Sequence, residues 1–361
     1  MKKIIDKIIA EKDTIKKIDL SEQYSLNEVP EIISQCVQLE KLDISFTRIS
    51  EIPDFIFQLP KLKELNYLGC TELQYQPSAF SSQQPLEKLS IYVGKGQVIP
   101  EEIENLKNIK SLTISGELKE IPKLVYRIVS IEDLQIFDSK VSTLSVEVEK
   151  LSKLKKLTFW QPLFSLDNKE VVLDLEEIFR NLSKCKTLRE LYLDNNGIKN
   201  IPENVSLLSY LQVFSAKNNL LVSYPASLYK LINLKKLDLG ANQLKEVVKG
   251  IGNLTQLKIL RLNSNWKNRL NVENLFNEIA YLLSLEALEL WSCQSVKEIP
   301  ESISSLKKLK KLDLDNNILK TLPKSIRAMP QLNVLRISTN KIQSEEINEI
   351  KKYLPATKII S

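Results

Sequence analysis

Leu188-Arg-Glu-Leu191-Tyr-Leu193-Asp-Asn-Asn196-Gly-Ile198-Lys-Asn-Ile201-Pro202 is the stretch that decides the fold. In Leu191-Tyr192-Leu193, leucines alternate with an outward residue, the period of a short strand whose side chains point to opposite faces in turn. The leucines point into a core. Asn196 then turns inward, where its amide can satisfy buried backbone groups at a bend. Pro202 lacks an N–H and resists a central strand, so it marks the chain leaving the sheet. The segment that follows, Glu203 to Leu211, buries Val205 and Leu208 and forms the opposite side.

The pattern L-x-x-L-x-L-x-x-N recurs from repeats that begin at Ile15, Leu39, Leu62, Leu86, Ile109, Ile131, Leu154, Leu188, Leu211, Leu234, Leu257, Leu285, Leu309 and Leu332. Seven of the thirteen spacings equal 23, which scattered leucine richness would not give. Asn219, Asn242, Asn265, Asn317 and Asn340 repeat the place of Asn196 and are expected to stack into a structural ladder. Cys70 and Cys293 stand at the same place and read as small buried residues, not nucleophiles.

This repeat resembles the leucine-rich-repeat family over roughly 15–345. The Ile-Pro or Leu-Pro pairs at 52–53, 99–100, 121–122, 201–202, 299–300 and 322–323 resemble the bacterial and intracellular-scaffold versions of that family. Each strand should pair in parallel with that of the next repeat, with short helices or turns on the other side. The expected fold is an α/β solenoid: a right-handed curved horseshoe, with the parallel sheet concave and the helical side convex.

Residues 1–14 are expected to form an N-terminal capping helix, with Ile4, Ile5, Ile8 and Ile9 on one face. About 14 repeats fill 15–343, and 344–361, with Ile347, Ile350 and Leu354, form the C-terminal cap. Two repeats are long, 154–187 and 257–284. In the first, Asp174 to Leu182 has a capping-box start and helical apolar spacing. In the second, Asn271 can cap a helix running through Leu275, Ile279 and Leu282.

Composition removes several classes of function. The chain of 361 residues has no histidine, and so lacks the commonest general base and metal ligand. Its 8 glycines form no phosphate-cradling motif. The four cysteines, Cys36, Cys70, Cys185 and Cys293, are dispersed and make no CxxC pair, which fits a reducing compartment and no structural zinc. No cofactor, metal or catalytic residue is expected. A net charge of +6 is mild for a nucleic-acid binder. No secretory apolar segment and no run of about 18 apolar residues is present, so no membrane span is expected. A cytoplasmic monomer is the expectation, and a signal-less export route would be compatible with the same sequence.

Function then falls to the strand face. The exposed seventh column of the repeats includes Tyr92, Phe137, Trp160 and Trp291, and the fifth column adds Tyr192. Phe164, in the insertion after Trp160, should wall one end of a shallow apolar trough over Ser115 and Gly116. These aromatics are the candidate partner-binding residues, since exposed apolar clusters tend to mark interfaces. Packing against one another across neighbouring strands would equally suit them. The later repeats carry mixed charge, including Lys217, Asp238, Arg261, Glu289, Asp313 and Arg336, and read as a polar rim or second contact zone. The expected function is a non-catalytic protein–protein interaction module or scaffold binding a protein partner on its concave face. The alternatives are a bacterial effector acting on a host protein, an enzyme, or a nucleic-acid binder. A cysteine-dependent activity would reveal the enzyme, and a steep fall of binding with salt the nucleic-acid binder.

Overall fold

The computed structural model describes residues 2–161 and 171–361. The chain divides into two compact units, Met1–Leu188 and Arg189–Ser361, each a stack of repeats. In the first, β1 (Lys17–Asp19), β2 (Lys41–Asp43), β3 (Glu64–Asn66), β4 (Lys88–Val93), β5 (Ser111–Gly116), β6 (Asp133–Ser139) and β7 (Lys156–Trp160) pair in parallel, each with the next. In the second, β8 (Glu190–Tyr192), β9 (Val213–Ser215), β10 (Lys236–Asp238), β11 (Ile259–Arg261), β12 (Ala287–Glu289), β13 (Lys311–Asp313), β14 (Val334–Arg336) and β15 (Lys358–Ile360) do the same. The register sets equivalent leucines side by side. Leu89, Leu112, Leu134 and Leu157 form one buried row, and Leu237, Leu260, Leu288 and Leu312 another.

A repeat of some 23 residues has little room for an α-helix on its return side, and the tighter 3₁₀ turn serves instead. Pro53, Pro100, Pro122, Pro202, Pro300 and Pro323 each precede a five-residue 3₁₀ helix. The Pro202 carbonyl accepts from the Val205 N–H at 3.1 Å, and Val205 and Leu208 are buried behind the sheet. Where a repeat is long, an α-helix appears. Helix α2 (Leu175–Leu182) starts at Asp174, whose carboxylate accepts from the Glu177 N–H at 3.0 Å. In the second long repeat the helix is shorter than the sequence suggests. Asn271 accepts from the Glu273 N–H at 2.9 Å, but α3 spans only Glu273–Glu278 and tightens into a 3₁₀ turn at Ile279–Tyr281. Five extra residues are too few to carry an α-helix to Leu282.

At the N-terminal end, α1 (Lys2–Glu11) buries Ile8 and half-buries Ile4 and Ile5. Ile9 is 51% exposed, so the covering face is narrower than the isoleucine pattern. At the other end, α4 (Ser344–Tyr353) buries Ile350, and Leu354 is buried just beyond it. Beyond it the chain continues into β15, which adds a further strand beside β14.

The two units end their strands differently. From Asn219 onward, ladder asparagines hold the bend. Asn242 donates to the carbonyls of Ala216 (2.9 Å) and Leu239 (3.1 Å) and accepts from the Leu221 N–H (3.0 Å). Asn219, Asn265 and Asn340 bond in the same way, each reaching one repeat back. The residue before each adopts a left-handed backbone, as at Asn218 (φ 54°), Ala241 (52°) and Ser264 (58°). Asn196, at the start of this unit, is buried and donates to the Asp194 carbonyl at 2.9 Å. Cys293 takes the asparagine's place, its thiol 3.4 Å from the Leu262 carbonyl. Asn317 donates to Leu290 and Leu314, while its Oδ1 meets no donor among the described residues.

In the first unit, positions equivalent to the ladder hold Thr47, Cys70, Gly94, Glu117 and Ser139. There β4, β5 and β6 run on for 6, 6 and 7 residues, against 3 for β8 to β15. In these three strands the additional backbone groups pair with neighbouring strands, whereas β2 and β3 stay at 3 residues, and Thr47 and Cys70 at their ladder positions donate to the Ile44 carbonyl. At one edge of this unit, just before each strand, Lys16, Glu40, Lys63, Glu87, Lys110, Glu132 and Lys155 alternate in sign. Glu40 lies 3.3 Å from Lys16 and 3.1 Å from Lys63, Glu87 3.0 Å from Lys110, and Glu132 2.7 Å from Lys155.

Candidate functional site

The longer strands of the first unit carry the aromatics. Tyr92 lies opposite Ser115, Ser115 opposite Phe137, and Phe137 opposite Trp160, in one row across β4 to β7. The phase follows from the buried residues on either side: Ile91 and Val93, Ile136, and Phe159. Phe137 and Trp160 stack with centroids 4.4 Å apart and planes within 8°. Both remain half-exposed, as does Tyr92.

The trough expected over Ser115 and Gly116 is closed. Ser115 is only 3% exposed, and its hydroxyl donates to the Ile91 carbonyl at 3.3 Å. The Tyr92 ring lies over Gly116, where a Cβ would sit 3.1 Å from Tyr92 Cε2 and 2.3 Å from the Val93 carbonyl oxygen. Gly116 also has φ 104°, so glycine is required there twice over.

Beside this row the sheet is irregular. Ser115 pairs with Phe137 but Gly116 pairs with Ser139, so Asp138 is an extra residue on a β-bulge. Its φ is 41°, left-handed like the residue at the same place in other repeats, such as Glu22, Phe46 and Asn195. Its side chain is exposed. Surrounding protein and then the Glu117 carboxylate raise its carboxyl above the usual aspartate range. Both acids face the Tyr92 phenol closely enough to raise it too, after burial. Glu117 is matched by Lys140 in a short ion pair. Sequence reasoning passed over Asp138. The available signal was the 22-residue step from Ile109 to Ile131, one short of its neighbours.

A second unforeseen group anchors the Tyr92 end of the row. Gln76 donates to the Tyr92 carbonyl at 2.6 Å and to Gln97 Oε1 at 2.8 Å, and accepts from the buried Tyr67 hydroxyl at 3.1 Å. Gln97 accepts from the Gly94 N–H at 2.9 Å and donates to the Leu73 carbonyl. A glutamine from the following loop thus does in this repeat what an asparagine does in the ladder.

The other candidate aromatics are placed differently. Phe164 lies outside the described residues. Tyr192, on β8, donates its hydroxyl to Glu190 at 3.0 Å, with the Lys236 ammonium 5.7 Å from its ring centre. Trp291 follows β12 and is half-buried. Three strands stand between it and Tyr192, so the second unit does not bring these two rings together. The charged face of the second unit is largely matched within itself. Arg261 lies 3.4 Å from Asp238 and 3.2 Å from Glu289. Lys311 is 2.8 Å from Glu289, and Arg336 is 3.4 Å from Asp313 and 2.7 Å from Asp315.

The thiols are poor nucleophiles. All four cysteines are buried, and burial pushes Cys185 and Cys293 up to about 12 and raises Cys36 and Cys70 as well. Among the described residues no group of three metal-ligating side chains gathers, and no helix is long and apolar enough to cross a membrane.

Comparison with known proteins places this geometry. A family model described as leucine rich repeat matches residues 284–342. The human volume-regulated anion channel subunit LRRC8A is 25% identical over 273 residues, covering 70% of this chain and 34% of that protein. The adenylate cyclase of Schizosaccharomyces pombe is 23% identical over 359 residues, covering 95% of this chain and 18% of the cyclase. The chain thus spans about a third of the length of the channel subunits it matches and less of the cyclase. Among solved structures, a leucine-rich-repeat protein of Leptospira interrogans aligns over 99% of this chain and 98% of its own, at TM-score 0.63 and 26% identity. A receptor described as TDR aligns at TM-score 0.54 and 20% identity, covering 100% of this chain and 65% of its own. An internalin of Listeria monocytogenes aligns at 0.50 and 17%, covering 90% and 87%. At those identities the receptor and the internalin speak to the fold alone.

Proposed function

Because this chain is a leucine-rich-repeat protein, we propose that it is a non-catalytic binding module that holds a protein partner on the strand face of its repeats. The row Tyr92, Phe137 and Trp160 is the centre of that contact. The observation that carries this reading is the Phe137–Trp160 stack: two large rings side by side on the strand face, both part-exposed. Packing across strands explains why the rings touch each other. It does not explain why they remain open to solvent in the region of longest strands.

The internally matched charges of the second unit support the same choice. A partner docking there would have to displace ion pairs already made, whereas the stacked rings of the aromatic row make no ion pair that a partner would have to break. The channel and the cyclase are far longer than this chain, and the likeness covers 34% of the one and 18% of the other, so it carries neither transport nor catalysis to this chain.

The test is an affinity series on the partner co-purified from the native cell. Trp160→Ala and Phe137→Ala should each weaken binding about tenfold or more, the loss of an anchor worth about 2 kcal/mol. Lys235→Ala should change almost nothing. Thermal melts of each variant check that the fold is intact. Normal binding by both aromatic variants, with loss on charge reversal at Arg261 or Asp313, would move the contact to the second unit and overturn the reading.

A further inference from the structure

Asp138 is the residue of the strand face that stands on a register shift, the one between β5 and β6. A bulge inserts an unpaired residue and re-aims its side chain, and such irregularities concentrate at functional sites. Here the re-aimed group is a carboxylate, exposed, one residue from the stacked Phe137. Neighbouring acids are occupied: Glu117 by Lys140, and Asp133 by Lys156 at 3.2 Å. Farther along the face, Asp19 and Asp43 accept from Ser21 and Ser45 at 2.6 Å each. Asp138 alone of these has no hydrogen bond or ion pair among the described residues.

Among the described residues this leaves one negative charge without an ion pair, next in sequence to the part-exposed Phe137 and near the part-exposed Tyr92. That pairing suits one kind of ligand. A guanidinium can stack on aromatic faces with its flat surface and pair with a carboxylate through its edge, and it is more weakly hydrated than an ammonium. We propose that Asp138 receives an arginine side chain of the bound partner, so that the aromatic row selects a basic peptide segment. The inference rests on the aromatic row being the contact, and adds the partner's chemistry to it.

The irregular backbone gives the carboxylate a fixed place. Gly116 lets β5 pass close under Tyr92, and the bulge in β6 opposite it sets Asp138 at the end of the row nearest Tyr92 and Glu117. A regular strand would send residue 138 to the face opposite Phe137.

The test uses the full chain and four pools of synthetic dodecapeptides with random flanks and a central residue fixed as arginine, citrulline, glutamate or leucine. The arginine pool should bind about tenfold better than the citrulline pool, which keeps the shape and removes the charge. Asp138→Asn should reduce that preference to about threefold or less, and Asp19→Asn should leave it unchanged because Asp19 is already occupied. Trp160→Ala should weaken all binding. A leucine or glutamate pool that binds as well as the arginine pool, or a preference that Asp138→Asn does not alter, overturns the basic-partner inference. If Trp160→Ala still abolishes binding in that case, the aromatic row stands as the contact. Binding of the arginine pool that ignores Trp160, or no binding by any pool, overturns both.

Discussion

The ladder repeats of the second unit and the long-strand repeats of the first solve one problem in two ways. Each must end a strand without leaving backbone groups unsatisfied. In the ladder, a single amide makes several bonds at once: Asn219 reaches the Leu193 and Ala216 carbonyls and the Ile198 N–H. Every such repeat then looks alike and turns at the same place. In the first unit the asparagine is missing, β4 to β6 continue, and bulge, glycine and glutamine each close one repeat in its own manner. Irregularity gives the first unit a broader face, and the aromatics and the re-aimed carboxylate stand there.

The largest effects should be common to both regions. Leu112→Ala and Leu239→Ala remove fully buried side chains of the same leucine frame and should each cost about 2–5 kcal/mol in chemical denaturation. If one were tolerated, the two regions would not share a packing scheme. Next comes the difference itself. Asn219→Ala should cost about 1–3 kcal/mol, because several buried backbone groups lose their partner together. Gln97→Ala should cost about 1 kcal/mol, since its site is only part-buried and water can replace the amide. Equal costs would mean that the glutamine is as integral as the ladder.

A smaller effect separates the charged face from the rest. Burial alone would raise the Glu289 carboxyl, but Lys311 and Arg261 outweigh it and hold it below its ordinary 4.5. A depressed carboxyl contributes stability that is present above that ordinary value and is lost as pH falls through the lowered one. Glu289→Gln should therefore cost about 1 kcal/mol at neutral pH, and the gap from wild type should close as pH drops below 4.5. Urea titrations of both proteins across that range would check it. A gap that does not change with pH would mean that the glutamate acts through packing alone.

Much of this was legible in the sequence because the frame repeats. Leu237, Leu260 and Leu288 could be placed inward from period and spacing alone, and the prolines marked the return turns. The phase of Phe137 and Trp160 followed from the same count, and so did their adjacency. What escaped depends on relations between repeats. Asp138 becomes a bulge only because β5 is one residue out of step with β6, which no single repeat shows. Gln76 and Gln97 act across loops, and nothing local sets them apart from other surface glutamines. Ile9 follows the helical apolar period and still faces solvent, because the first repeat covers only part of that face. The closing of the trough is a matter of ring tilt, which a column of letters does not contain.

The alternating lysines and glutamates along one edge of the first unit have a genealogical consequence. With Lys16, Glu40, Lys63, Glu87, Lys110, Glu132 and Lys155 in strict alternation, neighbours differ in sign wherever the series is cut. Removing one internal repeat brings two like charges together, whereas removing two restores the pattern. Each exposed pair is worth only about 0–1 kcal/mol, yet a mismatch replaces attraction with repulsion. Copy number in this segment is thereby biased toward steps of two, so that lineages gaining or losing repeats here should do so in pairs.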